Sequence, residues 1–119
     1  MKNVFGEPLK SCCENPMTGF FRDGYCKTDG SDFGKHTICA IVNDEFLRFS
    51  KIKGNDLISP QNQYFFPGLK SGDKWCLCVL RWKEAFEAGC APKVDLEATN
   101  EAALKYVSID DLIKCAIKK

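Results

Sequence analysis

What the chain lacks first is an imbalance of charge: seventeen Lys and Arg face sixteen Asp and Glu, for a formal net charge of +1. A nucleic-acid surface needs a basic excess to neutralise phosphates, and an anionic membrane surface asks for the same. Neither partner is expected. No run approaches the roughly 18 apolar residues of a membrane span, and residues 1–8 hold no apolar stretch of signal-peptide length. There is no Asn-x-Ser/Thr acceptor site. These absences read as a soluble, cytoplasmic protein. Also missing are the Gly-x-Ser-x-Gly elbow, the phosphate loop and the His-Glu-x-x-His helix, which removes the usual hydrolase, nucleotide and metalloprotease signatures. Histidine occurs once, and no internal repeat or low-complexity segment appears.

Cysteine, by contrast, is abundant, with eight in 119 residues. In the cytoplasm thiols stay reduced. An even count in a secreted chain would suggest a disulfide framework. Here the chain is long enough to bury roughly two-thirds of its unfolded surface in an apolar core, so disulfides are not expected to determine the fold. The length is that of one domain, spanning residues 1–119.

Residues 6–34 are dominated by turn formers, among them Glu7-Pro8, Asn15-Pro16, Arg22-Asp23-Gly24 and Asp29-Gly30-Ser31-Asp32. So long a loop needs something to order it. Phe20, Phe21, Tyr25 and Phe33 are expected to pack it onto the body, and Cys12, Cys13 and Cys26 lie within it. Regular structure begins with a β-branched strand over 36–42, followed by a helix over 45–53 that Asn43 or Asp44 caps and Gly54 ends. A second strand covers 74–80, and the spacing of Trp82, Ala85 and Phe86 predicts a helix over 81–88. Alternation predicts a third strand over 94–98. Thr99 or Asn100 caps a short helix through Val107, and Ser108 caps a last helix striped by Ile109, Leu112, Ile113, Ala116 and Ile117. Lys118-Lys119 then complements its dipole. The fold class is α+β: a small mixed or antiparallel sheet covered by helices on one face, preceded by a long ordered loop region.

The sharpest local motif is Cys76-Leu77-Cys78. Residues two apart on a strand share a face at roughly 6.5 Å, too far and too parallel to bond to each other, yet well placed to offer two thiolates to a soft cation. Cys39, His36, Cys26 and Cys12 could complete a tetrahedral zinc site, although the Cys-x-x-Cys knuckle of a zinc ribbon is absent. Cysteine is equally a small apolar packing residue. His36 with a thiol also forms a nucleophile and base pair. Arg22 and Arg81 could hold an anionic ligand, while Asp73, like Asp23 and Asp56, sits in a turn context. Trp75 and Trp82, with Tyr64-Phe65-Phe66, could wall a pocket or simply fill the core.

Several stretches together resemble one family. They are Gly6-Glu7-Pro8-Leu9 with Cys12, Thr18-Gly19-Phe20, Arg22-Asp23-Gly24 with Cys26, His36-Thr37 with Cys39-Ala40, and Gly54-Asn55-Asp56-Leu57 with Pro60. The longest runs from Phe66-Pro67-Gly68-Leu69-Lys70 through Gly72-Asp73 and Trp75-Cys76-Leu77-Cys78 to Arg81-Trp82, and Glu97-Ala98-Thr99 follows. The pattern resembles the uncharacterised, mostly bacterial family called domain of unknown function 2237, over nearly the whole chain. The resemblance implies no activity, but it sorts the thiols. Cys12, Cys26, Cys39, Cys76 and Cys78 fall on the family pattern; Cys13, Cys90 and Cys115 do not. The chain departs from the pattern where Tyr25 replaces a second adjacent Cys, Ser71 a Pro and Asn100 a His.

Function is therefore open among three classes. The first is a thiol-rich module binding a metal or small ligand, with zinc on Cys12, Cys26, Cys39, Cys76 and Cys78. The second is an enzyme using one of these thiols with His36 as base, and Arg22 or Arg81 (with Asp73 as a further polar contact) orienting a small anionic substrate. The third is an interaction domain whose cysteines only pack. On the first two readings the five cysteines of the pattern gather in space.

Overall fold

The computed structural model describes residues 1–61 and 66–117. The residues expected at Gln63, Tyr64 and Phe65 and at Lys118-Lys119 lie outside them. Its sheet has three antiparallel strands in the order β2-β1-β3, formed by β1 (His36–Ile41), β2 (Lys74–Cys78) and β3 (Lys93–Val94). The β-branched and small residues of β1 place it at the centre. Directly opposed residues share a face, and the register pairs Ile38 with Leu77 and Ala40 with Trp75, all members of the main apolar core. The alternate pair, Cys39 with Cys76, belongs to a separate buried cluster. The two faces of β1 and β2 therefore have different chemistry. One is hydrocarbon and the other is sulfur.

The apolar face is covered by helices. Asn43 Oδ1 accepts from the Phe46 amide at 2.8 Å and opens α1 (Asp44–Ile52), which buries Phe46 and Leu47. Helix α2 (Val79–Glu87) starts directly after β2, two residues earlier than the sequence predicts. The reason is the position of Val79. It is fully buried together with Trp82 and Ala85, on one helical face, which leaves Leu80 on the outside. Trp82 Nε1 donates to the Pro92 carbonyl at 3.2 Å, so its one polar atom is satisfied inside the core.

After β3 the predicted strand over 94–98 gives way to a 3-10 turn, Leu96–Ala98, because the Asp95 amide donates to Cys39 O while the Asp95 carbonyl accepts from the Ala98 amide and the Thr99 hydroxyl. A second 3-10 segment, Glu101–Lys105, is capped by Asn100. Ser108 caps α3 (Ile109–Lys114), which buries Leu112. The expected stripe ends there: Ala116 and Ile117 leave the helix, and the 115–117 backbone pairs with Val94 instead. The architecture is α+β with a radius of gyration of 12.9 Å. No helix among the described residues is long and apolar enough to cross a membrane.

Residues 1–35 contain turns and isolated bridges, without a helix or a strand of the sheet. The aromatics expected to pack this segment do not do so fully. Phe33 is 92% exposed, and Phe20 and Phe21 are 40% and 46% exposed. Its buried side chains are Asn3, Pro16, Thr18 and Asp32 together with Cys12 and Cys26. Polar contacts and sulfur hold it instead.

Candidate functional site

The expectation of reduced thiols is corrected here. Cys12 is bonded to Cys39 and Cys26 to Cys76, while Cys13, Cys78, Cys90 and Cys115 are free. The geometry follows from the register. Cys39 and Cys76 are opposed across β1 and β2, and residues 12–26 fold over that face. This brings the Cα pairs to 5.6 and 5.2 Å, inside the range a disulfide bridges. The partners are 27 and 50 residues apart, separations that no local spacing reveals. The sulfurs of Cys12, Cys26 and Cys39 all lie within 4.8 Å of one another, so these three buried cysteines could hold a metal ion. Among the described residues, Ala98 is the one other apolar residue in this buried cluster.

Cys78, the fifth cysteine of the pattern, is half-buried and lies outside that cluster. A cavity of about 750 Å³ runs along the free edge of β2 and is lined by Trp75, Cys76, Leu77 and Cys78. Gly19, Phe20 and Arg22 wall one side, Gly34 and His36 another, and Asn55, Leu57 and Arg81 complete it. Among the described residues no carboxylate lines it, whereas two guanidinium groups and an imidazole do. The chemistry favours an anion with an apolar body.

His36 reaches the cavity because of an irregularity. The register shifts between His36 and Ile38, so Thr37 is an extra residue and His36 pairs with Cys78. On a regular strand His36 and Cys39 would face opposite ways; the bulge puts His36 opposite Cys78, on the thiol side. Lys35, just before it, has a φ of 50°, a left-handed conformation rare for a residue with a Cβ. A buried carboxylate then fixes the ring: Asp32 Oδ1 lies 2.7 Å from His36 Nδ1, while Oδ2 accepts from the His36 amide at 2.9 Å and from Thr28 Oγ1 at 3.0 Å. The Asp32 side chain is 0% exposed and that of His36 37%. Burial of Asp32 opposes its ionisation, but the hydrogen bonds from the His36 amide, the ring and Thr28 outweigh it and hold the carboxyl below its ordinary range. An ionised carboxylate only accepts, so Nδ1 carries the proton and Nε2 is left free.

Gly34 lies flat against this ring. A Cβ there would come within 2.6 Å of His36 Cε1 and 3.1 Å of Nε2. On the other side of the cavity Arg22, with a φ of 55°, places its guanidinium carbon 5.1 Å from the Trp75 ring centroid and donates to Gly19 O. Arg81 donates to Lys53 O at 3.0 Å and pairs with Glu84 on the next turn of α2 at 3.5 Å. Helix α2 opens at Cys78 with no side-chain cap and no acidic residue in its first turn, so its positive end faces the same region.

His36, Arg22, Arg81 and Cys78 are thus brought together, while Cys12, Cys26, Cys39 and Cys76 form the adjoining sulfur cluster. Asp73 lies elsewhere. It receives the Lys70 amide and pairs with Lys70 Nζ at 3.0 Å beside a separate cleft. Asp32 is the residue that sequence reasoning passed over as turn duty. The signal was an Asp four residues before the sole His, a spacing that one tight turn closes. Of the free thiols, Cys90 and Cys115 are pushed up by burial, with Glu45 adding to the effect at Cys90, which makes both poor nucleophiles.

The sequence profile of the family described as an uncharacterised protein conserved in bacteria, DUF2237, matches residues 2–116, and the chain belongs to that family. No curated protein matches it.

Proposed function

We propose that the cavity takes a small anionic molecule and that Cys78 attacks it with His36 as its base. The observation that carries this reading is the buried Asp32 carboxylate, 2.7 Å from His36 Nδ1, at a cavity whose facing strand presents a free thiol. A nucleophile, a base and a third group that orients the base is the logic of covalent thiol catalysis. The thiol S–H breaks as the sulfur bonds to the electrophilic carbon of the substrate. The proton moves to Nε2, where the carboxylate stabilises the imidazolium, and then to the departing group. Arg22 and Arg81 hold the negative end of the substrate.

Paired alkylation tests this. Iodoacetate carries a charge that iodoacetamide lacks, and peptide mapping separates the thiols. Cys78 is expected to react with iodoacetate about tenfold faster than Cys13, with a preference for the anionic reagent that Arg22→Ala removes. Asp32→Asn and Gly34→Ala both slow it, since misplacing a base by an ångström can cost up to about a hundredfold. Equal, unselective rates at Cys78 and Cys13 would reject the reading.

A second reading, a zinc-binding module, is favoured by the three sulfurs gathered within 4.8 Å. It requires the disulfides to be open. A cytoplasmic setting fits that requirement, because cysteines there are kept largely reduced.

A further inference from the structure

Deepening the zinc reading and independent of the cavity chemistry, we propose that Cys76 is the fourth ligand of a four-sulfur site for one soft divalent cation. The ion and the two disulfides are then alternative fastenings of the same loop segment. The four sulfurs come from three places: Cys12 and Cys26 from residues 1–35, Cys39 from β1 and Cys76 from β2. All are at most 5% exposed. Cys76 is bonded to Cys26, whose sulfur is within 4.8 Å of those of Cys12 and Cys39, and it belongs to the same buried cluster. A tetrahedron of sulfurs about 2.3 Å from zinc sets them about 3.8 Å apart. Opening the two S–S bonds frees the four side chains of this buried cluster to rotate toward that spacing. Among the described residues, small Ala98 is the only other apolar member of the cluster.

The surrounding backbone is prepared for a fixed cluster. The Cys76 amide donates to the fully buried Thr18 hydroxyl at 2.8 Å and the Cys39 amide to the buried Thr99 hydroxyl at 3.2 Å. The Cys26 carbonyl accepts from the buried Asn100 side chain at 3.1 Å. These bonds hold three of the four ligand positions whether or not the sulfurs are bonded to each other. Cys78 is set apart from these ligands because it is only half-buried and lies outside the buried cluster.

Conversion between the states balances with a peroxide as oxidant. Four thiolates on one ion lose four electrons to two peroxide O–O bonds, two S–S bonds form, the cation leaves, and four protons complete the four hydroxyl products as water. Because residues 19–22 wall the cavity and hang from Cys26, either fastening keeps Arg22 at the cavity.

The test uses the whole chain, reduced anaerobically with a phosphine and titrated with cobalt(II), then zinc(II). One equivalent is expected, with the visible bands of a tetrahedral ion and the sulfur charge-transfer intensity of four thiolates. Cys76→Ser should lose about a quarter of that intensity and weaken binding at least about tenfold, while Cys13→Ser changes neither. Near-ultraviolet circular dichroism of the tryptophans confirms that each variant is folded. Two equivalents of hydrogen peroxide should release the ion and restore the Cys12–Cys39 and Cys26–Cys76 pairs on mass mapping. Tight uptake that Cys76→Ser leaves unaltered, or that Cys78→Ser abolishes, would overturn the assignment of Cys76 while sparing the zinc reading. No uptake by the reduced, folded chain would end both.

Discussion

Residues 1–35 and residues 36–117 are folded by different physics. The second region buries Ile38, Phe46, Leu77, Val79, Trp82 and Leu112 at 3% exposure or less. The first fully buries no Val, Ile, Leu or Phe among its described residues, and its buried side chains are Cys, Asn, Thr, Asp and one Pro. Apolar burial supplies roughly 25 cal/mol per Å² without regard to direction, so a hydrocarbon body tolerates small shifts. Covalent and polar fastenings are directional: they hold one geometry or none. The segment that must place Arg22 and Asp32 at a cavity is held by the directional kind. Precision there is set by few contacts, and each is separately removable.

The largest expected effect breaks the body. Trp82→Ala should cost about 3 to 5 kcal/mol, the range for deleting a buried aromatic, and leaves the Pro92 carbonyl without its donor. Urea denaturation should show both regions failing together, since the loop segment has no core of its own. Next comes removal of the 50-residue closure by Cys26→Ala with Cys76→Ala, expected to cost about 2 to 4 kcal/mol. Here the comparison sharpens. Hydrogen exchange should quicken across residues 10–33 while α1 and α2 keep their protection. Uniform loosening of both regions would mean that the two are one cooperative unit. Smaller again is Asn100→Ala, which strips a donor from the Cys26 carbonyl and the cap from Ala102. A loss of about 1 to 2 kcal/mol is expected from a cap plus one buried unsatisfied carbonyl, read as a shift in the denaturation midpoint with an unchanged slope.

This division also explains what could be read from the residues. Periodicity located β1, β2, α1 and α2 to within two residues, because hydrocarbon burial writes itself as spacing. It overextended the strand at Val94 and the stripe at Ala116, where backbone bonds to Cys39 and Val94 decide the path. The family pattern singled out the five cysteines, and four of them do cluster. Their pairing was illegible, because Cys26 and Cys76 meet only through a register and a fold-over that no window contains. The Asp32–His36 contact was within reach of a window but looked like an ordinary turn. The bulge at Thr37, which turns His36 toward Cys78, leaves no mark in composition at all.

The smallest effect is an acid one, and it falls unevenly. Asp23, Asp29 and Asp32, all in the first region, have carboxyls held below their ordinary range. Burial opposes this at Asp23 and Asp32, and it is outweighed at Asp23 by the Tyr25 amide and Lys27 and at Asp32 by His36 and Thr28. At Asp29 the Ser31 hydroxyl and amide are responsible. Beyond residue 35 only Asp56 is lowered among the described groups, through Ser59 and Ile58. A folded pKa below the unfolded value of about 3.9 means that the folded state binds the proton more weakly. The contribution of each carboxylate is therefore fully present above that pH and is lost as pH falls through the lower, folded value. From pH 7 to 5 these groups should leave stability flat. Below about pH 4 the first region should loosen before the sheet does, since protonated Asp32 no longer accepts from both the His36 amide and its ring. Amide NMR spectra recorded from pH 5 down to pH 2.5 would show signals of residues 23–36 broadening while those of α2 persist. Asp32→Asn should already weaken the turn at pH 7 and flatten its further loss in acid. Simultaneous disappearance of both sets of signals, in the wild type and the variant alike, would show that the loop segment does not answer to its own carboxylates.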